Sequence, residues 1–534
     1  MKFGLFFFIW AVMFSFAPVA YSQSDEFITG KLLDAKTKEP IVFATVRIQG
    51  KALGVISNLD GGFKIPIEFQ LEGTVLEISS MGYETKNIQI STLKKNGINT
   101  ILIKSAVLEL QETIVTAKAK RSKRLSARKI IKYALERIPD NYPNDPFSLI
   151  GYYRDYQLQK KEYINLNEAI VQVFDMGFQS DDYTNTQYGL FSYEKNKDFK
   201  VDSLAAKPYD YVTKDKFIPD ASLISDYGGN ELMILHIHDA IRNHDIKTYS
   251  FVNKLTEDFL KGHLFSSVEK TSYGNKAVYK IGIKKMMPPF QVVGTIYIDK
   301  SNYAIRKLDY AVYKKNSDSS FENKRDFYNS TEKELLIEIL VEYTDIKDKM
   351  YLNYISFHNK FRIRRPALFR IKKGLFDKAN GLLEIELNKP AKNYDELKLS
   401  DFSLTFKGKE IRVQRIIKAV GNKITVKLSS KPGQIELISQ LLSNDRDLEK
   451  EKLFMRIKNL IDEDFNLLDE RKLESFDQFR EFFTQKVIKD FNNDFSKEDL
   501  MYKTIPLYDS SQPIYKKNDN VDYWMNTPLK TIEN

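Results

Sequence analysis

Apolar and polar positions alternate in short runs from Phe27 to Lys104, and the turns between them carry glycine, asparagine, aspartate or proline. Residues 28–34 read as a first strand and 41–49 as a second, with Val42, Ala44, Val46 and Ile48 on one side. Further short strands are expected at 63–65, 75–79, 87–90 and 100–104. In Asn58-Leu59-Asp60-Gly61-Gly62 the glycines supply positive φ at no steric cost, so Asp60 and Gly61 are read as turn formers rather than a metal site. About seven short strands at this spacing predict a β-sandwich.

The pattern changes after position 118. Ser126 is placed to cap a helix whose apolar face is Ile130, Ile131, Ala134, Leu135 and Ile138; Pro139 and the Asn/Pro cluster at 141–146 end it. A long hairpin is expected from 147–159 and 163–174 across a charged turn, then polar, irregular chain with a helix near 231–242. From Lys276 a strand meander follows at 278–283, 291–299, 303–313, 334–343, 351–362 and 382–387. In the fourth strand Leu335, Ile337, Ile339, Val341 and Tyr343 share one side. An antiparallel sheet covered on one face gives this pattern. A transmembrane barrel gives it too, but Pro288-Pro289, Pro366 and charges on both faces of 303–313 favour a curved sheet outside the lipid. A hairpin over Gly421-Asn422 joins 411–420 to 424–428. From 435 onward the reading is helical: Ser475-Phe476-Asp477-Gln478 as a capping box, with Phe476, Phe479, Phe482, Phe483 and Val487 on one face. The tail 509–534, polar and aromatic, is expected to wrap over the domain.

The first 22 residues change the picture from fold to location. A single Lys2 precedes an uncharged run to Ala20, and Ala20-Tyr21-Ser22 precede Gln23, the layout of a secretory signal. An uncleaved anchor is the alternative, at the lower edge of a span and broken by Pro18. The expected address is the periplasm or the outer membrane. The 534-residue chain has no cysteine, which excludes disulfide scaffolds, thiol catalysis, cysteine-ligated zinc, iron–sulfur clusters and a lipidated N-terminal cysteine. Its 82 Lys and Arg exceed 72 Asp and Glu, yet acids accompany bases nearly everywhere except at 118–132, so a nucleic-acid partner is not expected. That basic stretch reads as a solvated linker, with anionic envelope polymers or lipid head groups as the other option.

The sandwich motifs resemble a known family. Thr29-Gly30-Lys31-Leu32-Leu33-Asp34, Pro40-Ile41-Val42-Phe43-Ala44-Thr45-Val46, Gly54 through Phe63, and Ile78-Ser79-Ser80-Met81-Gly82-Tyr83-Glu84 are similar in content and order to the carboxypeptidase-like regulatory domain. The resemblance implies a transthyretin-like sandwich on an exported protein of Bacteroidota type, and no peptidase activity, because the module holds no zinc ligands. Leu108 to Ala117 resembles the energy-coupling box that follows this domain in outer-membrane receptors; a final strand leading into a linker is the plainer reading, and strand addition at an exposed edge the alternative. About 415 residues beyond position 120 are too few for a plug and a 22-stranded barrel. The stretch from Gly294 to Leu308 resembles lipoprotein-carrier sheets over a short span.

Chemistry is sparse. His236-Ile237-His238 sits in an expected helix, where residues i and i+2 diverge, and Glu231, His236, His238 and His244 lack the spacing of a zinc-protease motif. His263 and His358 stand alone, and Asp181-Asp182 read as solvated surface. No residue is assigned a catalytic, metal or cofactor role, and no cofactor is expected. The expected layout is a signal at 1–22, the regulatory sandwich at 25–106, a linker and helix at 107–146, an antiparallel-sheet α+β domain at 147–430 and a helical region with tail at 431–534. The expected function is a non-enzymatic envelope protein whose partner is a protein, glycan or lipid-like ligand. An accessory role in an outer-membrane transport assembly, through 108–117, and a carboxylate-dependent hydrolase of envelope polymers are the alternatives.

Overall fold

The structure, a computed structural model, describes residues 27–51, 53–71, 73–106, 125–219, 229–247, 254–274, 276–315, 333–377, 379–441, 453–489, 496–515 and 523–528. The expected leader at 1–22 and the segment 108–117 lie outside the described residues, as do residues 118–124 of the basic stretch at 118–132. In chain order the strands are β1 (Phe27–Asp34), β2 (Thr45–Ile48), β3 (Gly54–Ile56), β4 (Gly62–Pro66), β5 (Val75–Ser79), β6 (Lys86–Gln89) and β7 (Ile98–Ile103). Then come β8 (Phe147–Gln159), β9 (Glu162–Asp175), β10 (Gln187–Lys195), β11 (Lys216–Phe217), β12 (Leu264–Phe265), β13 (Glu269–Tyr273), β14 (Lys276–Met287), β15 (Phe290–Asp299), β16 (Ile305–Lys315), β17 (Lys333–Ile346) and β18 (Lys349–Arg364). The last are β19 (Ile371–Asp377), β20 (Leu382–Leu387), β21 (Phe402–Phe406), β22 (Lys409–Ile411), β23 (Val413–Val420), β24 (Lys423–Leu428), β25 (Leu453–Ile457) and β26 (Leu473–Ile488).

The first strands form two sheets, β4-β1-β7 and β3-β2-β5-β6, enclosing a core of Ile28, Leu32, Val46, Phe63, Leu76 and Ile78. The β1–β7 pair is parallel and the others are antiparallel. Gly61 takes φ 77° and the Asp60 carboxylate accepts from the Gly62 amide at 2.8 Å, so both are turn formers. The expected second strand is shorter than its apolar run, and β3 is an addition.

Two compact units follow from the contacts along the chain. One holds 1–202, 220–360 and 477–534; the other holds 203–219 and 361–476. In the first, a large antiparallel sheet runs β10-β9-β8-β26-β18-β17-β16-β15-β14-β12, with β13 also beside β14. The predicted hairpin and meander are present, and helix Ala127–Glu136 starts at Ser126, whose hydroxyl accepts from the Lys129 amide. That helix and Glu231–Ile237 pack Ile130, Ile131, Leu232 and Leu235 onto Ile337, Ile339 and Val341. The apolar stripe that a barrel would turn to lipid is therefore covered by helices.

Three expectations are corrected. Residues 473–488 are a strand, β26, at the centre of the large sheet, not a capped helix. Phe482 enters the helix-covered core while its neighbour Phe483 packs with Ile56 and Tyr354 on the opposite side. A central strand covered on both faces loses the two-residue alternation, and its aromatics then fall by chance at helical spacing. The region 431–534 thus holds one described α-helix, Pro432–Leu441, rather than a helical domain. Nor is 147–430 one domain: 382–387 does not continue the meander but joins β19-β20-β24-β23. With β22-β21-β25, that sheet belongs to the second unit, around Leu383, Ile385, Leu404, Ile424 and Ile457.

Candidate functional site

Alternation along β8 sends Tyr153 into the helix-covered core and Arg154 to the opposite face. Glu481 of β26 is the register partner of Arg154, so the two charges share that face. Arg154 Nε and Nη2 donate to Glu481 Oε2 at 2.9 and 2.6 Å, and the Tyr156 hydroxyl donates to Oε1 at 2.6 Å. Arg154 and Glu481 are 1 % and 2 % exposed. Burial opposes the arginine charge, but Glu481 and the tyrosines around it hold the guanidinium pKa well above its ordinary value. A buried pair survives only when the remaining lone pairs and protons are also satisfied. Here Arg154 Nη1 donates to the Asn58 side chain and to the Asn526 carbonyl.

Asn58 lies in the sandwich and Asn526 in the tail, so the pair sits in a seam where sandwich, sheet and tail meet. Asn526 Nδ2 donates to Ile56 O at 2.8 Å, and its Oδ1 accepts from the Lys64 amide at 2.9 Å. Trp524 Nε1 donates to Lys64 O at 3.0 Å, and its ring joins the sandwich core beside Phe69. From the sheet, Gln485 Nε2 donates to Gly54 O at 2.7 Å and to Trp524 O at 3.0 Å. Arg47 Nη2 donates to Asn353 Oδ1 and Thr484 O, and its guanidinium lies over the Phe483 ring at 5.0 Å. Tyr152 and Thr527 both donate to Glu168. Both oxygens of Glu481 and all three nitrogens of the Arg154 guanidinium are engaged within the chain, which suits clamping two layers rather than turning over a substrate.

The opposite face holds a different cluster. Asp155 accepts from the Tyr153 hydroxyl at 3.0 Å and from Asn167 Nδ2 at 2.9 Å. Burial first, and then the charge of Glu231, push its carboxyl up to about 7. Glu231 is paired with Arg480, which also donates to Asn359 Oδ1 at 2.7 Å and lies over Phe357 at 5.1 Å. A raised carboxyl beside a second carboxylate is the local pattern of an acid–base pair. Asp155 and Glu231 are distant in sequence, and no local motif announces them.

The sequence candidates are placed as follows. His238 stacks on Phe357 at 3.9 Å and its Nδ1 donates to Ile234 O, while His236 lies against Tyr188 and Phe482, so the two rings have separate environments. Burial lowers them to about 3 and about 4, in that order. His263 donates from Nδ1 to Phe259 O and accepts the Tyr310 hydroxyl at 2.7 Å. His358 pairs with Asp477 at 2.9 Å and stacks on Phe479. His244 is lowered by burial. Asp181 is on the surface as expected, a helix cap accepting from the Thr184 amide, whereas Asp182 is buried, accepting from Thr186 and Asn243, and is not solvated surface. Among the described residues no three His, Asp or Glu side chains converge as a metal site, and no helix is long and apolar enough to cross a membrane.

Residues 28–115 match the family described as the CarboxypepD_reg-like domain. The match covers the sandwich and agrees with its two-sheet architecture. No curated protein matches the chain.

Proposed function

We propose that this is an exported, non-enzymatic cell-envelope protein of Bacteroidota type, with a binding or structural role. Its CarboxypepD_reg-like sandwich serves as a docking module. The observation that carries the reading is the seam: the sandwich is engaged by the chain's own sheet and tail through Arg154, which Glu481 holds in place, and through Asn526 and Gln485. The leader-like pattern at 1–22 and the absence of cysteine support an exported setting. The test is fractionation of the native host with N-terminal sequencing. A mature chain beginning near Gln23 in the periplasmic or outer-membrane fraction is expected; a cytosolic chain retaining Met1 overturns the reading.

One observation favours a hydrolase of envelope polymers as a second reading: Asp155 keeps its proton to about 7 while facing the charge of Glu231. Turnover of a glycan or peptide polymer that is lost in Asp155→Asn, with folding intact, would replace the first reading with this one. The transport-assembly role rests on 108–117, and a pull-down lost on deleting that segment is its test.

A further inference from the structure

The second unit is where the charge of this protein resides. Residues 203–219 and 361–476 contain 28 Lys and Arg against 20 Asp and Glu, a formal +8 of the +10 carried by the whole chain. The remaining 401 residues are close to balanced. A body with such an excess draws anionic partners to itself.

That unit also has a concave site. On β21 and β25, Ser403 opposes Arg456 and Thr405 opposes Phe454 in register, so these four side chains share one face. The other face, with Leu404, Phe406 and Ile457, is core. The four lie in a groove of about 770 Å³ walled by Lys458, Asn459 and residues 467–470. Phe454 is 70 % exposed, and Met455, Leu467 and Leu468 line the groove with it, so apolar and polar groups share the walls. Phe454 and Leu467 are both exposed in this one groove, and clustered rather than scattered apolar surface marks a contact site. Among the described residues, the side chains of Ser403, Thr405 and Lys458 make no hydrogen bond or ion pair, and Arg456 has no hydrogen bond but faces the charge of Asp469, so its guanidinium N–H donors are open to a ligand. Glu470 lines this groove and also a second cavity of about 380 Å³ whose lining includes Arg365, Arg370 and Lys472, so the concave surface continues past one subsite.

We propose that the β21–β25 groove binds a carboxylated saccharide chain. The Phe454 ring stacks on the apolar face of a sugar ring. The Arg456 fork, with Lys458, takes a sugar carboxylate, the geometry for which guanidinium is suited. Ser403 and Thr405 bond ring hydroxyls, and Glu470 accepts from another, while Asp469 sits beside Arg456 and accepts from the Ile371 amide. The hydroxyls of Ser403 and Thr405 beside the flat Phe454 ring favour a sugar ring, and a nucleic acid or a lipid surface is an outcome of the test below. The proposal rests on the envelope-binding reading and names its ligand class. Fractionation tests that reading independently, so an exported protein with no saccharide affinity would sink this proposal alone.

The experiment is calorimetric titration of the chain from Gln23 onward with an oligogalacturonate, and in parallel with a neutral maltodextrin, a single-stranded oligonucleotide and phosphatidylglycerol vesicles. The expected result is binding of the oligogalacturonate alone, weakened about tenfold or more in each of Phe454→Ala and Arg456→Gln. Phe454→Trp restores the affinity, and Lys418→Gln, an exposed cation on β23 of the other sheet, leaves it unchanged. Phe454 and Arg456 are on the surface, so the variants keep the wild-type melting temperature, and Phe454→Trp guards against misreading a folding defect. No heat with oligogalacturonate at about 1 mM overturns the proposal. So does equal affinity for the neutral chain, or binding indifferent to both substitutions. Oligonucleotide or vesicle binding that depends on Phe454 and Arg456 assigns the groove to another ligand and equally overturns it.

Discussion

Arg154 and Glu481 have each left water, and what hydration supplied must now come from the partner. Removing one side of such a pair strands the other charge in a dry seam, whereas removing both leaves only a packing question. Arg154→Leu is therefore expected to lower unfolding free energy by about 3–5 kcal/mol in urea titrations, with most of the loss recovered in the Arg154→Leu, Glu481→Leu double variant. A single variant within about 1 kcal/mol of the parent would mean that the pair contributes as little as a surface ion pair. The face below behaves differently. Asp155 holds its proton to about 7, while a carboxyl in the unfolded chain releases it near 3.9. Between those values the folded state binds more protons than the unfolded, so this contribution favours folding in acid and is lost as pH rises through about 7. His236, His238 and His263, lowered to about 4, 3 and 4, act in the opposite sense: each costs stability as pH falls below the usual histidine value. Asp155→Asn should remove the decline in stability between about pH 4 and pH 7 that belongs to this group, leaving the histidine limb. An unchanged profile over that range would show that Asp155 is not the titrating group.

Elements whose burial is one-sided were legible from their period; of those covered on both sides, β8 and β9 were legible from the charged turn between two long runs, and β26 was not. The helix at Ala127–Glu136, capped by Ser126, shows its apolar stripe because one face meets water, and the meander strands alternate for the same reason. In β26 the burial runs unbroken from Arg480 through Gln485, because helices cover one face and the sandwich the other. β3, only three residues long, offers too few positions for a period. The seam was illegible for another reason: Arg154 and Glu481 are 327 residues apart and Arg47 and Asn353 are 306 apart, so no local spacing announces either pair. Adjacent phenylalanines in β26 give a test of this two-sided burial. Phe482→Ala opens the main core and should cost about 3–5 kcal/mol of global stability. Phe483→Ala removes contact with Ile56 of the sandwich and the ring beneath Arg47, and should speed hydrogen exchange at β2 and β3 with a smaller global effect. The same exchange pattern from both variants would place the two rings in one core and contradict the strand assignment.

Across the larger unit, the tail acts as the fastener between sandwich and sheet. Residues 523–528 bring the Trp524 ring into the sandwich core, while Asn526 bonds backbone groups of β3 and β4 and the backbone of both residues accepts from the sheet. Polar bonds to backbone run beside the apolar contacts of Trp524, Ile56 and Phe483 in this docking, and weakening those bonds is predicted to let the sandwich separate before the sheet melts. The chain has two tryptophans, Trp10 in the leader-like segment and Trp524. A recombinant chain beginning at Gln23 therefore reports the environment of Trp524 alone by fluorescence, while far-UV circular dichroism follows all strands. In the parent protein both signals should change at one urea concentration. In Asn526→Ala, where the Lys64 amide and Ile56 carbonyl lose their partner at a cost of about 1–3 kcal/mol, the emission should shift to the red at lower urea than the dichroism transition. Exchange of the Lys64 amide should quicken with it. If the two probes remain coincident in the variant, the sandwich is not an independently releasable layer, and the tail is simply one more strand-like edge of a single cooperative core.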